Sequence, residues 1–273
     1  MLLRSISKHV KDQNWFAVTL DFLIVVVCIL IAFQITNWNE ERGDRHREVQ
    51  VLRDIATDIA ADIDAYDTIV GNALFRIATL DYIFEETSNA AVSVINPNIK
   101  SLSIGVSWSR DAEEALQKGS HTKDSDFENT IADSIGMLWS IAVNVGNFQA
   151  NTTALDALVN SGDLGVLRNK EVVRQLQEYR VITAAIEKSQ DTTYRPERNA
   201  AIAVGQKYGL SVFGVVDEEE FIKLVSVEPE LAAVLQTQMG WATGHYVQLV
   251  SANQSAHAIL RKIQIELGKN LGG

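Results

Sequence analysis

The chain has little proline, one cysteine, and none of the short motifs that carry nucleotide, metal or acyl-transfer chemistry. Each shortage excludes something. Only Pro97, Pro196 and Pro229 interrupt 273 residues, and so few breakers favour long helices. A single cysteine, Cys28, forbids an intrachain disulfide, although it leaves the cellular compartment open. No Gly-x-Ser-x-Gly elbow, Walker loop or Gly-x-Gly-x-x-Gly turn occurs. His9, His46, His121, His245 and His257 contain no i, i+4 pair of the kind a helical zinc site needs, so they read as ordinary surface or core histidines. The expectation is no catalytic residue, no metal site and no cofactor.

Positive charge is also short. Of the net charge of −11, the part from Glu40 onward carries 21 basic against 33 acidic side chains. Such a domain repels phosphate, so nucleic acid is not an expected partner, and anionic lipid is disfavoured as a surface. The acids are spread over otherwise globular composition, 47% apolar and 22% charged, which excludes a disordered chain.

What is present is a long apolar run. Between Asn14 and Asn39 the only charged residue is Asp21, and Phe22 to Phe33 is unbroken apolar sequence. That run alone is too short to span a bilayer, which takes about 20 residues. Extended from Trp15 to Trp38 it is long enough: the two tryptophans stand about 35 Å apart on a helix, and tryptophan favours the membrane boundary. The expectation is a basic tail over 1–14, a transmembrane helix over 15–38 anchored at its edges by Trp15 and Trp38, and an extramembrane domain over 39–273. Two competitors exist. One is a buried helix of a soluble protein. The other is a cleaved signal peptide, disfavoured by a long leading segment and by Gln34-Ile-Thr-Asn-Trp38, which offers no small-x-small cleavage site. Lysine and arginine are nearly balanced across the span: Arg4, Lys8 and Lys11 before it, Arg42, Arg45, Arg47 and Arg53 after it. The short basic tail tips the reading to a single-pass protein of the inner (plasma) membrane with a cytoplasmic N-terminus and an extracytoplasmic domain.

Two polar residues stand inside the span. A carboxylate at the centre of a membrane helix costs at least about 2.5–3.5 kcal/mol. Asp21 lies about 9 Å along the axis from Trp15. It reads either as an interfacial acid near water or as a hydrogen-bonding contact between membrane helices, in a homo-oligomer or with a protein partner. Gln34 carries the same two readings on a different side of the helix.

The stretch from Asp21 through Ile24-Val-Val-Val-Cys-Ile-Leu-Ile-Ala-Phe-Gln34 to Asn37-Trp-Asn-Glu40 resembles the hallmark of a bacterial family of single-pass membrane proteins of unknown function. That family shows an acidic residue, then LVV, GILIALQ and NNWNE. Cys28 stands where the family usually has glycine, and Thr36 where it often has asparagine. Ala157-Leu-Val-Asn-Ser-Gly-Asp-Leu-Gly-Val-Leu-Arg-Asn-Lys-Glu171 is similar to a later segment of the same family. The resemblance implies a membrane location and a helical extramembrane domain, and no chemistry.

Beyond the span, Leu52, Ile55, Ile59, Ile63, Tyr66, Val70, Leu74, Ile77 and Leu80 recur at helical spacing, so helix is expected to run to about Glu86 with Gly43 and Gly71 as weak points. Asp54, Asp58 and Asp62, with Asp64 and Asp67, read as a solvated face, since carboxylates on one helix rarely surround a cation. An irregular connection is expected near 87–109, a short helix over Arg110–Lys118, and a long helix over 124–160 closed by Gly162. Leu164 and Leu167 should tuck into the core. Asn169 should cap a helix that kinks at Pro196 and ends near Gly209. Asp217 opens a short helix, and Pro229 starts a last long one reaching about Leu267. The four long segments, 45–85, 124–160, 169–208 and 229–267, predict an antiparallel four-helix-bundle-like domain, mainly α. The expected function is a membrane-anchored interaction or sensor-like module with a pocket between helices. The alternatives are a structural, self-associating anchor, or an enzyme in which Arg195, Glu197 and Arg198 converge with His245 and Tyr246.

Overall fold

The computed structural model describes residues 15–87 and 134–271, with side chains at 15–18, 270 and 271 excepted. The described residues form helices, turns and irregular stretches, with no strand among them. The irregular connection expected near 87–109, the helix over Arg110–Lys118 and the start of the helix over 124–160 lie outside the described residues. The chain divides into two compact units, one ending at Val51 and the other running from Leu52.

The first unit holds the opening part of α1 (Trp15–Glu86). Its side chains from Thr19 to Arg47 are exposed, apart from a half-buried Val26. The helix is long and apolar enough to cross a membrane, with a mean hydropathy of 2.4 in its best window and none of that window buried. Phe22 is 68% exposed, Phe33 64% and Trp38 61%. The core helix of a soluble protein would be covered at this hydropathy.

In the second unit α1 buries a stripe that begins at Leu52, Ile55, Ile59, Ile63 and Tyr66. After Tyr66 the stripe departs from the expected Val70, Leu74 and Ile77, which are only half-buried. It follows Ile69, Ala73, Arg76, Leu80 and Ile83, all buried. The physical reason is the three-then-four alternation that keeps a stripe on one side of a 3.6-residue helix, whereas successive steps of four rotate off it. The corrected stripe contains an arginine.

The expected single helix over 124–160 does not form. A 3-10 turn (Ile135–Met137) leads into α2 (Leu138–Val143), an extended stretch follows, and α3 (Thr153–Asn160) resumes the helix. The stretch between them reads Asn144-Val-Gly-Asn147 and then Asn151-Thr152, residues that favour turns by hydrogen-bonding their own backbone or by conformational freedom. The backbone donors of Phe148, Ala150 and Asn151 find side-chain acceptors on neighbouring helices, which offsets the loss of helical hydrogen bonds there.

Local capping follows the sequence closely. Gly162 takes φ +73° after α3, and Leu167 is buried while Leu164 is half-buried. Asn169 caps α4 (Lys170–Ser189), accepting from the N–H groups of Glu171 and Val172. Beside Pro196, where a kink is expected, the chain forms a widened π turn (Gln190–Tyr194) just before α5 (Arg195–Lys207). Proline removes a backbone donor and crowds the preceding turn, and the wider turn takes up both. Gly209 follows α5 at φ +77°. Asp217 caps α6 (Glu218–Val227), accepting from the N–H of Glu220. Finally α7 (Pro229–Leu271) starts at its proline and runs past the expected end.

Cross-links give the directions. Asn169 Nδ2 donates to Glu266 at 2.9 Å, Gln238 Nε2 donates to the Glu197 carbonyl at 3.1 Å, and Lys207 pairs with Glu230, so α4–α5 and α7 run antiparallel. Asn253 Nδ2 donates to Asp67 at 2.7 Å and Arg76 reaches Gln238, so α1 is also antiparallel to α7. Among the described residues the domain thus has three long helical columns, and the described part of the segment expected to form a fourth is the broken stretch α2–α3. At one end Trp139 packs face-on against Gly205, where an added Cβ would stand 2.1 Å from Trp139 Cζ2.

Candidate functional site

Two layers of buried polar groups cross the second unit. The first is built on α1. Asp62, expected on a solvated face, is fully buried and accepts from the Asn151 N–H at 2.7 Å, from Asn151 Nδ2 at 3.0 Å and from the Tyr179 hydroxyl at 2.7 Å. Asp58 Oδ2 accepts from the Ala154 N–H at 2.8 Å, at the start of α3, where the free donors and the helix dipole favour an anion. Glu187 and Gln190 accept from the N–H groups of Ala150 and Phe148, each at 3.0 Å. Phe148 stacks on Tyr66 with ring centroids 4.1 Å apart. These acceptors hold the extended stretch in place. Burial raises the Asp62 carboxyl above its usual range, partly offset by its hydrogen bonds and reinforced by Asp58. Asp54 and Asp64 are exposed as expected. The solvated-face reading fails for Asp58 and Asp62 because their partners come from a segment read as continuous helix.

The second layer centres on Arg76, only 3% exposed. Its Nε donates to the Ala142 carbonyl at 2.8 Å, in the last turn of α2, and its Nη2 donates to Gln238 Oε1. A cation is well placed at a helix C-terminus. Even so, no carboxylate among the described residues pairs with it. Burial pulls its pKa down to about 10, which still leaves it charged at neutral pH. Next to it, His245 on α7 is 2% exposed, its ring 4.7 Å from that of Tyr194, and its Nε2 has no hydrogen-bond partner. Burial, with Arg76 adding repulsion, lowers the His245 pKa to about 4, so the imidazole is neutral. The π turn supplies Tyr194, which donates to Gln248 Oε1 at 3.0 Å and meets Trp241 edge-on. Arg76 and His245 border a cavity of about 160 Å³ whose lining also includes Ile69, Asn72, Asn144 and Ala242, and no acidic residue. Asn72 and Asn144 are exposed, so they stand at its mouth.

The residues expected to matter lie elsewhere. Asp21, Gln34 and Trp38 are exposed in the first unit, and the Arg42 guanidinium sits 5.7 Å from the Trp38 ring centroid. The Trp15 side chain is outside the described residues. Among the described residues no hydrogen bond or ion pair joins the five residues considered for an enzymatic site to one another. Arg195 is exposed, paired with Asp191 and donating to Asn147; Arg198 donates to Asn199; and Glu197 and Tyr246 do not line the cavity that His245 faces. Among the described residues no three His, Cys, Asp or Glu side chains gather as metal ligands. Sequence reasoning missed Arg76, whose signal was a charge at a stripe position between Ala73 and Leu80.

No protein-family model matches the chain, and neither a curated protein nor a solved structure matches it.

Proposed function

We propose that the chain is a membrane-anchored, sensor-like module. Residues 15–38 cross the inner membrane once, the N-terminus is cytoplasmic, and the bundle-like helical domain outside takes a ligand between its helices and passes the response to a protein partner. The observation that carries the anchor is exposure on every side of α1 from Leu20 to Trp38. A helix apolar all round needs an apolar surrounding, and among the described residues none of its most apolar window is buried. Arg42 over Trp38 suits the aqueous edge of a bilayer, where an aromatic ring and a cation both find their preferred surroundings. The ligand-binding part rests on the cavity bordered by Arg76 and His245.

Fractionation tests the anchor. The full chain is expected to pellet with membranes, to resist alkaline carbonate and to enter solution only with detergent. Recovery in the soluble fraction, or a product whose N-terminus begins beyond Trp38, ends the anchor reading. Protease protection of the C-terminal domain in intact cells with a permeabilised outer envelope would reverse the orientation.

A second reading, self-association through the membrane helix, is favoured by Asp21 and Gln34, both exposed on the apolar part of α1. Buried in lipid they would seek polar partners on another helix. Asp21→Leu and Gln34→Leu should then weaken crosslinking in membranes, and unchanged crosslinking in both removes this reading.

A further inference from the structure

We infer that the cavity bordered by Arg76 and His245 is a binding site for one small monocarboxylate, its head on the guanidinium and a short aliphatic tail against Ile69 and Ala242. This deepens the ligand-binding reading above and rests on it.

The argument starts from an uncompensated charge. A buried guanidinium is costly unless it is paired and hydrogen-bonded. Arg76 has five N–H donors, and bonds to Ala142 and Gln238 use two of them. The planar fork that remains matches a carboxylate, which accepts two parallel N–H bonds. The cavity wall offers no acid to take that place.

His245 is the second, independent observation. It is 2% exposed and lines the same cavity, and its buried Nε2 has no hydrogen-bond partner. A neutral imidazole can donate one N–H to an oxyanion without adding a second positive charge. One fixed cation therefore selects a monoanion over a dianion. Size narrows the class further. The volume of about 160 Å³ is close to that of a cavity that accepts benzene, so the limit is roughly six heavy atoms. Ile69, Ile141 and Ala242 give the lining an aliphatic part, and the exposed Asn72 and Asn144 offer uncharged donors.

The test uses the full chain in detergent micelles or nanodiscs, titrated calorimetrically and followed by thermal unfolding. The probes are sodium propionate, its uncharged isostere propionamide, inorganic phosphate and sodium chloride, at constant ionic strength. Propionate is expected to bind saturably, at least tenfold more tightly than propionamide, and to raise Tm. Arg76→Gln should weaken propionate at least tenfold, and Arg76→Lys should fall between, because it keeps the charge and loses the fork. Should Arg76→Gln fail to fold, His245→Phe is the second variant, with an expected severalfold loss of propionate affinity and native far-ultraviolet dichroism. Equal responses to propionate and propionamide, or undiminished affinity in Arg76→Gln, would overturn the site. Saturable phosphate binding in place of propionate would overturn the carboxylate class. Failure here is separable from failure of the anchor: a membrane-bound chain that ignores all four probes sinks only the site, and a soluble chain that binds propionate sinks only the anchor.

Discussion

Within α1, two stretches of helix invert each other. From Leu20 to Trp38 the apolar side chains face outward, whereas from Leu52 to Ile83 two ionisable side chains, Asp62 and Arg76, face inward with the core. The backbone is the same α-helix in both. What differs is the medium each surface must satisfy. In the first stretch the apolar side chains of the described residues lie exposed along a helix of membrane-spanning length. In the second, the backbone N–H of Asn151 and the carbonyl of Ala142, both in the broken neighbouring segment, pair with Asp62 and Arg76. Helix formation is therefore uninformative about which side of it is wet.

Breaking the contrast in the first stretch should have the largest effect. Val27→Arg combined with Leu30→Arg is expected to cost about 5–7 kcal/mol of insertion, at roughly 2.5–3.5 kcal/mol for each charge, and to shift the chain out of the membrane pellet. Unchanged fractionation would mean the stretch is not in hydrocarbon.

In the second stretch, Asp62→Ala leaves the Asn151 N–H and the Tyr179 hydroxyl without their acceptor. At about 1–3 kcal/mol for each stranded group, destabilisation of roughly 2–5 kcal/mol is expected in urea unfolding. Asp62→Asn should lose less, since an amide oxygen can still accept from Asn151. A silent Asp62→Ala would show that the extended stretch does not depend on α1.

His245 sharpens the comparison through pH. Its folded pKa of about 4 lies below the unfolded value of 6.5, so between these values the unfolded chain binds the proton and the folded chain does not. Stability from this group is thus fully present above about pH 6.5 and is lost as the pH falls towards 4, by about 3 kcal/mol. Asp81, held up at about 6 by burial and Glu85, acts in the opposite sense over much of the same window. The measurement is therefore the difference between the native chain and His245→Gln at pH 7 and pH 4.5. A difference that does not change with pH would show that His245 is not buried neutral.

The smallest effect concerns propensity alone. An added Cβ at Gly71, exposed in the helix, meets no atom within 4 Å, so Gly71→Ala should stabilise by about 0.5–1 kcal/mol. At Gly205 the same change meets Trp139 and should instead destabilise by about 1–3 kcal/mol. Matching shifts at both sites in thermal unfolding would contradict the packing.

Much of the helical layout was readable in advance because its signals are local. Asn169 and Asp217 satisfy free N–H groups within three residues, Gly162 and Gly209 take a left-handed turn that side chains resist, and Pro229 opens a helix where its missing donor is harmless. The stretch from Asn144 to Thr152 misled because its scattered apolar residues, Val145 and Phe148, fit a helical period as well as an extended one. Its true conformation depends on acceptors at Asp62, Glu187 and Gln190, far away in the chain. The candidate site inherits that difficulty: Arg76 and His245 are 169 residues apart and meet only through α1 and α7.

Composition and short-range order were enough for a mainly helical chain with one membrane-length apolar segment, since turn chemistry, caps and runs of side chains act over a few residues. Which acids are buried, where the expected helix over 124–160 breaks, and that a buried guanidinium and a buried imidazole line one cavity came from packing. The pairing of a buried polar atom depends on whatever element lies opposite, and no stretch of sequence carries that information within itself.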